Sequence, residues 1–357
     1  MDLLLFVMET AAVFEWAGSK GDSGMDRIAF FFGEMEISWS FLIGVMAVGT
    51  GVCLFWALYM GKGNGLFAAV AAVPLTLALS LLLARLLHWY CRPDLYESLR
   101  QAVTDYSTGG YALPGAFAGC VLSALLLRLV GISKSLPRML DCMSLAGCAA
   151  MGLGRLAFFF RAGDRGWILP ESIGLPWAYP EQKPISGMAE NRFAVFLLQA
   201  VAAGVIFLAV LIPFLREKDN RKMKDGDACL LVLLLWGAAQ LVLDGTRYVA
   251  LFPGWGGFLS LTQLFGMGAV VLPVLVFSVR MVKAYGFRFW YLPAWAVIAA
   301  MLGLAVYMEY YVQQHEYQPL FIYGYMGVCM MDALAVAWIL WYVTIRRERL
   351  QRLPTIY

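Results

Sequence analysis

The sequence predicts an all-α fold, a polytopic transmembrane helical bundle of about nine spans. Three observations lead there. Of the 357 residues, 61% are hydrophobic and 14% are charged, whereas soluble domains run near ~45–50% and ~25%. Mean hydropathy is +0.71. The apolar residues also gather in runs of about 20, the length a helix needs to cross the hydrocarbon core. So few charges cannot solvate a surface in water, which excludes a soluble globular chain and a disordered one. A net charge of +3 from 27 basic and 24 acidic residues, with no long basic stripe, excludes nucleic acid as a partner. The seven cysteines lie mostly inside apolar runs, without a CxxC and with two histidines in the chain. Neither a zinc site nor a disulfide framework is expected from that pattern. No P-loop, HExxH or nucleophile-elbow motif is present, and no cofactor or metal is expected.

The elements follow in order. Residues 1–17 form a short apolar run broken by Glu9 and without a basic n-region. They read as an interfacial helix or an unstructured lead, not as a signal peptide or a span. Spans are expected at 39–60, 65–87, 111–130, 139–160, 193–214, 228–252, 258–280, 289–311 and 319–345. Between the sixth and seventh, Phe252-Pro-Gly-Trp-Gly-Gly257 also fits a tight re-entrant bend. The loop 161–192 is the longest extramembrane stretch after the N-terminal segment. Trp89, Tyr90, Trp167, Tyr307, Tyr310, Tyr311 and Tyr323 sit near span ends and read as an interfacial belt. Met326, Met330 and Met331 read as core packing.

Lys and Arg orient the bundle. The N-terminal segment and the gaps after even-numbered spans hold nine of them, and the alternate side holds sixteen. The positive-inside rule then predicts an N-terminus outside and a C-terminus in the cytoplasm. No internal repeat is visible, which argues against a small-solute transporter built on inverted repeats.

Several charges sit where a bilayer penalises them. Arg85 lies near the end of span 2, Arg155 within span 4, and Asp244 with Arg247 in the last third of span 6. An ionised group at bilayer depth costs about 2.5–3.5 kcal/mol on insertion scales, so such groups usually face the bundle interior and carry function. Two plainer readings stay open: Arg85 snorkelling to the interface beside His88, and Asp244 pairing with Arg247 at i,i+3. With spans 2, 4 and 6 running the same way, Arg85, Arg155, Arg161, Asp244 and Arg247 are expected at one end of the bundle. Four arginines against one acid favour an anion, and guanidinium suits a phosphate. Asp332 in span 9 is expected to be neutral or hydrogen-bonded within the bundle, and Glu309 ends span 8 on the outer side.

Short segments then fall into a known order. They are Gly33-Glu-Met-Glu-Ile-Ser-Trp-Ser40, Ala84-Arg85-Leu86 and Gly109-Gly110-Tyr-Ala-Leu-Pro114-Gly115-Ala-Phe-Ala-Gly119. Asp141 follows, then Gly152-Leu-Gly154-Arg155-Leu-Ala-Phe158, Leu243-Asp244-Gly-Thr-Arg247 and Leu259-Ser-Leu-Thr-Gln263. The series over about 33–280 resembles prolipoprotein diacylglyceryl transferase, the bacterial enzyme that moves diacylglyceryl from phosphatidylglycerol to a lipobox cysteine. The chain departs from the family pattern at several places. Pro114 stands at the family His, Phe158 at the signature Asn, Ser40 at a Tyr, Gln199 at the Glu ending His-Pro-Ser-Gln-Leu-Tyr-Glu, and Gln240 at an Arg. Asp164 matches the Glu after the signature only with a one-residue shift.

The resemblance implies a family-like membrane domain at 33–284, after a non-cytoplasmic lead at 1–32. Two extra spans and a basic cytoplasmic tail occupy 285–357. It implies a multi-pass protein of the bacterial plasma membrane, with phosphatidylglycerol and a prolipoprotein signal peptide bearing a lipobox cysteine as partners. Arg155, Arg85 and Arg161 are the candidate phosphatidylglycerol-binding residues; His88, Asp244 and Arg247 are the candidate catalytic ones. His88 is the histidine near the cluster, read either as a replacement base or as an interfacial residue beside Trp89. The alternative is a catalytically degenerate relative that binds phospholipid.

Overall fold

The computed structural model describes residues 28–32, 35–104, 110–160, 166–169, 178–182, 189–215, 223–248, 250–254, 256–315 and 319–352. The expected lead at 1–17, together with Arg161, Asp164 and Arg165, lies outside the described residues.

The chain is a helical bundle. A hairpin of β1 (Ile28–Phe32) and β2 (Met35–Ser38) leads into α1 (Trp39–Gly61). Next come α2 (Leu66–Cys91), a short α3 (Leu99–Thr104), α4 (Leu113–Leu129) and α5 (Leu136–Arg155). A second antiparallel hairpin, β3 (Ala178–Gln182) with β4 (Ala189–Phe193), precedes α6 (Val195–Leu215). The remaining helices are α7 (Asp227–Gly245), α8 (Leu261–Tyr285), α9 (Tyr291–His315) and α10 (Pro319–Arg352). Eight of the described helices are long and apolar enough to cross a membrane. The expected span at 111–130 is the shorter α4, whose 17 residues rise about 25 Å. Both hairpins precede helices that enter from the same side, so that side is called the hairpin end below.

Small residues set how closely these helices approach. Gly115 and Gly119 of α4 lie against the backbone of α2: a Cβ on either would overlap Leu83, Ala84, Leu79 or Ser80 backbone atoms. This is the small-xxx-small contact that lets two membrane helices pack at backbone range. Ser123 with Thr76 (2.7 Å) and Ser80 with Cys120 (3.3 Å) then hydrogen-bond across the same pair. Gly237 of α7 and Gly266 of α8 make an equivalent approach, each directed at the other's carbonyl.

Helix α7 is the centre of the bundle. It packs on α5, α6, α8 and α10, and 61% of its most apolar window is buried. Away from the hairpin end, its N-terminus is held by Asp141 of α5. One carboxylate oxygen of Asp141 accepts from the Gly226 N–H (2.6 Å) and the other from the Cys229 N–H (2.8 Å). A helix start leaves unpaired N–H groups, and here an acid from a neighbouring helix caps them. Asp227, the first residue of α7, pairs with Arg280 of α8 and accepts from the Trp341 indole of α10 at 3.4 Å. Outside the spans at this end, burial lowers the Lys62 ammonium below its ordinary pKa, and its Nζ lies 4.2 Å from the Phe214 ring centroid.

Candidate functional site

At the hairpin end, α7 stops earlier than the hydropathy predicted. The span expected to reach 252 ends at Gly245. From there the chain turns away: Arg247 forms a β-bridge with Gly166, and the Trp167 N–H donates to the Thr246 carbonyl at 3.2 Å. Gly256 and Gly257 then take positive φ (80° and 132°) before α8 begins. Thus residues 252–254 and 256–257 lie in a loop between two antiparallel helices.

This exit leaves Asp244 in the last turn of α7, 0% exposed. One carboxylate oxygen accepts from Arg247 Nη1 at 2.9 Å; the other accepts from Ser260 Oγ. The plain i,i+3 pairing expected of Asp244 and Arg247 is therefore formed. Ser260 is at the same time the N-cap of α8, in a capping box with Gln263. The Ser260 N–H donates to Gln263 Oε1 (2.9 Å) and the Gln263 N–H to Ser260 Oγ (3.0 Å). The box fixes the Gln263 amide, whose Nε2 donates to Glu309 Oε2 of α9 at 2.8 Å. Glu309 Oε1 accepts from Gln313 (3.1 Å) and from the Tyr323 hydroxyl of α10 (3.3 Å). One connected polar network thus runs from Arg247 through Asp244, Ser260 and Gln263 to Glu309.

The sequence reading missed half of this network. Glu309 was read only as ending a span, and Tyr323 as part of an interfacial belt. Tyr323 is instead 3% exposed, because Gly245 leaves room for its ring and for Glu309: a Cβ there would lie 2.7 Å from Glu309 Oε2. An acid inside an apolar window was the available signal.

Arg155 is the last residue of α5, where a cation complements the helix C-terminal dipole. Its guanidinium carbon lies 5.7 Å from the Phe158 ring centroid, and the residue is half-buried. Small residues bring α5 close to its neighbours just before this point. A Cβ on Gly152 would meet Ala203 of α6 at 3.3 Å, and one on Gly154 would meet Ala47 of α1 at 3.8 Å. The following 3-10 turn, Leu156–Phe159, carries Phe159 onto Phe196 of α6 (4.9 Å, T-shaped), and Phe160 packs on Trp39 (6.1 Å).

Arg85 is 2% exposed, so it does not snorkel. Its Nε donates to the Ala102 carbonyl (2.7 Å) and its Nη1 to the Gly110 carbonyl (3.1 Å). The guanidinium lies between Tyr96 (5.0 Å) and Tyr111 (5.4 Å). Arg85 therefore pins the segment joining α2 to α4. One turn on, His88 Nδ1 shares a 2.9 Å hydrogen bond with the Tyr96 hydroxyl, and a Cβ on Gly110 would meet His88 Nε2 at 3.0 Å. Tyr96 thus touches both side chains. Outside the spans, Arg92 forms an exposed pair with Asp94 (2.8 Å) and holds that carboxyl below its ordinary pKa.

Arg85, His88, Arg155, Asp244 and Arg247 thus share the hairpin end, on α2, α5 and the α7 exit. Two of the family departures also meet there: Gln199 Nε2 of α6 donates to Gln240 Oε1 of α7 at 3.3 Å, buried. A polytopic helical membrane protein with guanidinium groups and a buried acid toward one end of its helices is the class these features define. The family model for prolipoprotein diacylglyceryl transferase matches residues 27–279, and the chain belongs to that family. Helices α9 and α10 lie beyond the matched residues. No curated protein matches the chain. Membership supports, in general terms, a transferase role in lipoprotein biosynthesis at a membrane.

Proposed function

We propose that this protein transfers diacylglyceryl from phosphatidylglycerol to the lipobox cysteine of prolipoproteins, at the outer side of the bacterial plasma membrane. What supports the reading is that Arg155, Arg85 and the Asp244–Arg247 pair all lie toward the same end of their helices in a chain of this family. The hairpin end is then outside and the C-terminus cytoplasmic, in line with the lysine and arginine distribution. Residues 33–284 form the transferase unit, after a lead at 1–32, and 285–357 add α9, α10 and the basic tail.

The transfer forms a C–S bond between the cysteine sulfur and the glyceryl carbon. The C–O bond to phosphate breaks, and glycerol phosphate leaves with the electron pair. Charge grows on the departing phosphate, and donors already in place stabilise it. Arg155, with Arg161, supplies that positive field in this proposal. Arg247 contributes a guanidinium oriented by Asp244 from one side, and Ser260 holds Asp244 from the other. Arg85 adds its charge and, through Ala102 and Gly110, the wall of the segment joining α2 to α4. A cysteine thiol with an ordinary pKa near ~8.5 needs a base or an electropositive site to ionise. His88, joined to Tyr96, is the proposed acceptor of that proton.

A second reading keeps the fold and the lipid site without the chemistry. Gln199 and Gln240 favour it, since a neutral hydrogen bond stands where the family pattern has Glu and Arg. Purified protein in phosphatidylglycerol vesicles with a lipobox peptide separates the two. A gain in peptide mass equal to one diacylglyceryl group supports transfer. Lipid binding with no mass gain supports the second reading.

A further inference from the structure

Glu309 is buried near the C-terminal end of α9. Among the described residues its donors are all neutral: Gln263 Nε2, Gln313 Nε2 and the Tyr323 hydroxyl. A buried carboxyl costs more than apolar packing of similar volume, so docking α9 on the bundle does not require one. An acceptor at this place sets direction. A glutamine amide has a donor end and an acceptor end, and Glu309 takes the donor end of Gln263. The Gln263 amide oxygen therefore faces the Ser260 N–H at 2.9 Å. The Gln263 N–H in turn occupies a lone pair of Ser260 Oγ (3.0 Å), and the hydroxyl proton is left for one oxygen of Asp244. The other oxygen of Asp244 receives Arg247 Nη1 at 2.9 Å. Each bond of this chain has one polarity, and Glu309 is where it ends.

We propose that Glu309 is a positioning residue for the transfer, holding Arg247 at the departing phosphate through Gln263, Ser260 and Asp244. The inference rests on the transferase reading and extends it to a helix outside the residues matched by the family. Arg247 stands beyond the last residue of α7, where the chain has turned to bridge Gly166. Helix geometry no longer orients its guanidinium there; the bond to Asp244 does. Without Glu309 the Gln263 amide is free to reverse, the side-chain half of the capping box is lost, and Ser260 and Asp244 gain room to move. A misplacement of about 1 Å can cost roughly a hundredfold in rate. Charge grows on the leaving phosphate in the transition state, so a misplaced Arg247 lowers kcat while KM changes little.

The test measures glycerol phosphate release by the full-length protein in phosphatidylglycerol vesicles with a lipobox peptide, together with the guanidinium nitrogen NMR signals of Arg247, assigned by their loss in Arg247→Lys. Glu309→Leu should lower kcat at least tenfold, with KM for the lipid within threefold of wild type. Glu309→Gln, whose amide oxygen still accepts from Gln263, should stay within threefold in kcat. Glu309→Asp draws the acceptor back by one carbon and should fall between them; it decides the matter if Glu309→Leu does not fold. In an Arg247→Ala background Glu309→Leu should add less than twofold, because its effect passes through Arg247. Trp295→Ala, which removes the 2.9 Å bond to Ser278 at the other end of α9, loosens the helix without touching the chain and should keep kcat within twofold. The Arg247 signals should move in Glu309→Leu and hold in Glu309→Gln. A wild type that releases nothing defeats the transferase reading, and the Arg247 signals then decide the positioning by themselves. Wild-type kcat in folded Glu309→Leu, equal losses in Glu309→Leu and Trp295→Ala, full multiplication of losses with Arg247→Ala, or unmoved Arg247 signals would each overturn the proposal.

Discussion

Gln263 donates a 2.8 Å hydrogen bond to Glu309, and that bond ties a helix outside the family match to the buried Asp244. Gln263 closes the capping box of α8 through Ser260, and Ser260 donates to Asp244. The C-terminal helix pair is therefore wired to the acid that orients Arg247.

Glu309→Ala takes from the buried Tyr323 hydroxyl its Glu309 acceptor and leaves Gln263 Nε2 with the longer bond to the Leu241 carbonyl (3.4 Å), and an unsatisfied buried group costs about 1–3 kcal/mol. Tyr323→Phe removes one donor and should cost about 1 kcal/mol. Thermal unfolding in detergent should rank Glu309→Ala well below Tyr323→Phe, with Glu309→Gln between them.

Asp244 and Arg247 should behave as a coupled pair. Asp244→Ala leaves a mostly buried guanidinium without its carboxylate, and breaking such a pair typically costs about 3–5 kcal/mol. The double variant with Arg247→Ala should lose less than the two single losses combined. A double-mutant cycle on unfolding reads the coupling; additive losses would count against it.

Packing of α2 on α4 should fail at Gly119. Leucine there has no room against the Ser80 and Leu79 backbone, so Gly119→Leu should lower folded yield sharply. Gly147→Leu on α5, where nothing lies within 4 Å, should leave it near wild type. Size-exclusion profiles of the two variants make the comparison.

At the opposite end, Asp141→Ala should uncap α7. Loss of an N-cap typically costs about 0.5–2 kcal/mol, and Asp141→Asn, which keeps one acceptor, should lose less. Amide hydrogen exchange at Gly226–Cys229 should quicken in proportion.

Much of the bundle was legible because the bilayer imposes length and hydropathy on every crossing segment. Among the described residues the nine apolar runs became eight helices long enough to cross a membrane and the shorter α4, and residues 85, 155, 244 and 247 lie toward the same end of their helices. Which way a side chain faces was not legible. Lipid and neighbouring helices are both apolar, so the periodicity that marks the inner face of a soluble helix fades in a membrane. Tyr323, expected in an interfacial belt, is buried; Asp332, expected to be neutral or hydrogen-bonded within the bundle, is exposed; and Met331, expected in the core, is 66% exposed. The α7 exit was misjudged for a related reason. Hydropathy follows Leu251 and Phe252, whereas the helix stops where Gly245 is needed for the approach of Tyr323 and Glu309.

Release of glycerol phosphate by Arg155→Ala, compared with wild type, tests the central claim most directly. With phosphatidylglycerol vesicles and a lipobox peptide, the wild type should release glycerol phosphate in step with peptide modification. The folded variant should fall at least a hundredfold, and Arg155→Lys should recover only part of the loss. Unchanged release from Arg155→Ala would contradict a phosphate seat built on Arg155.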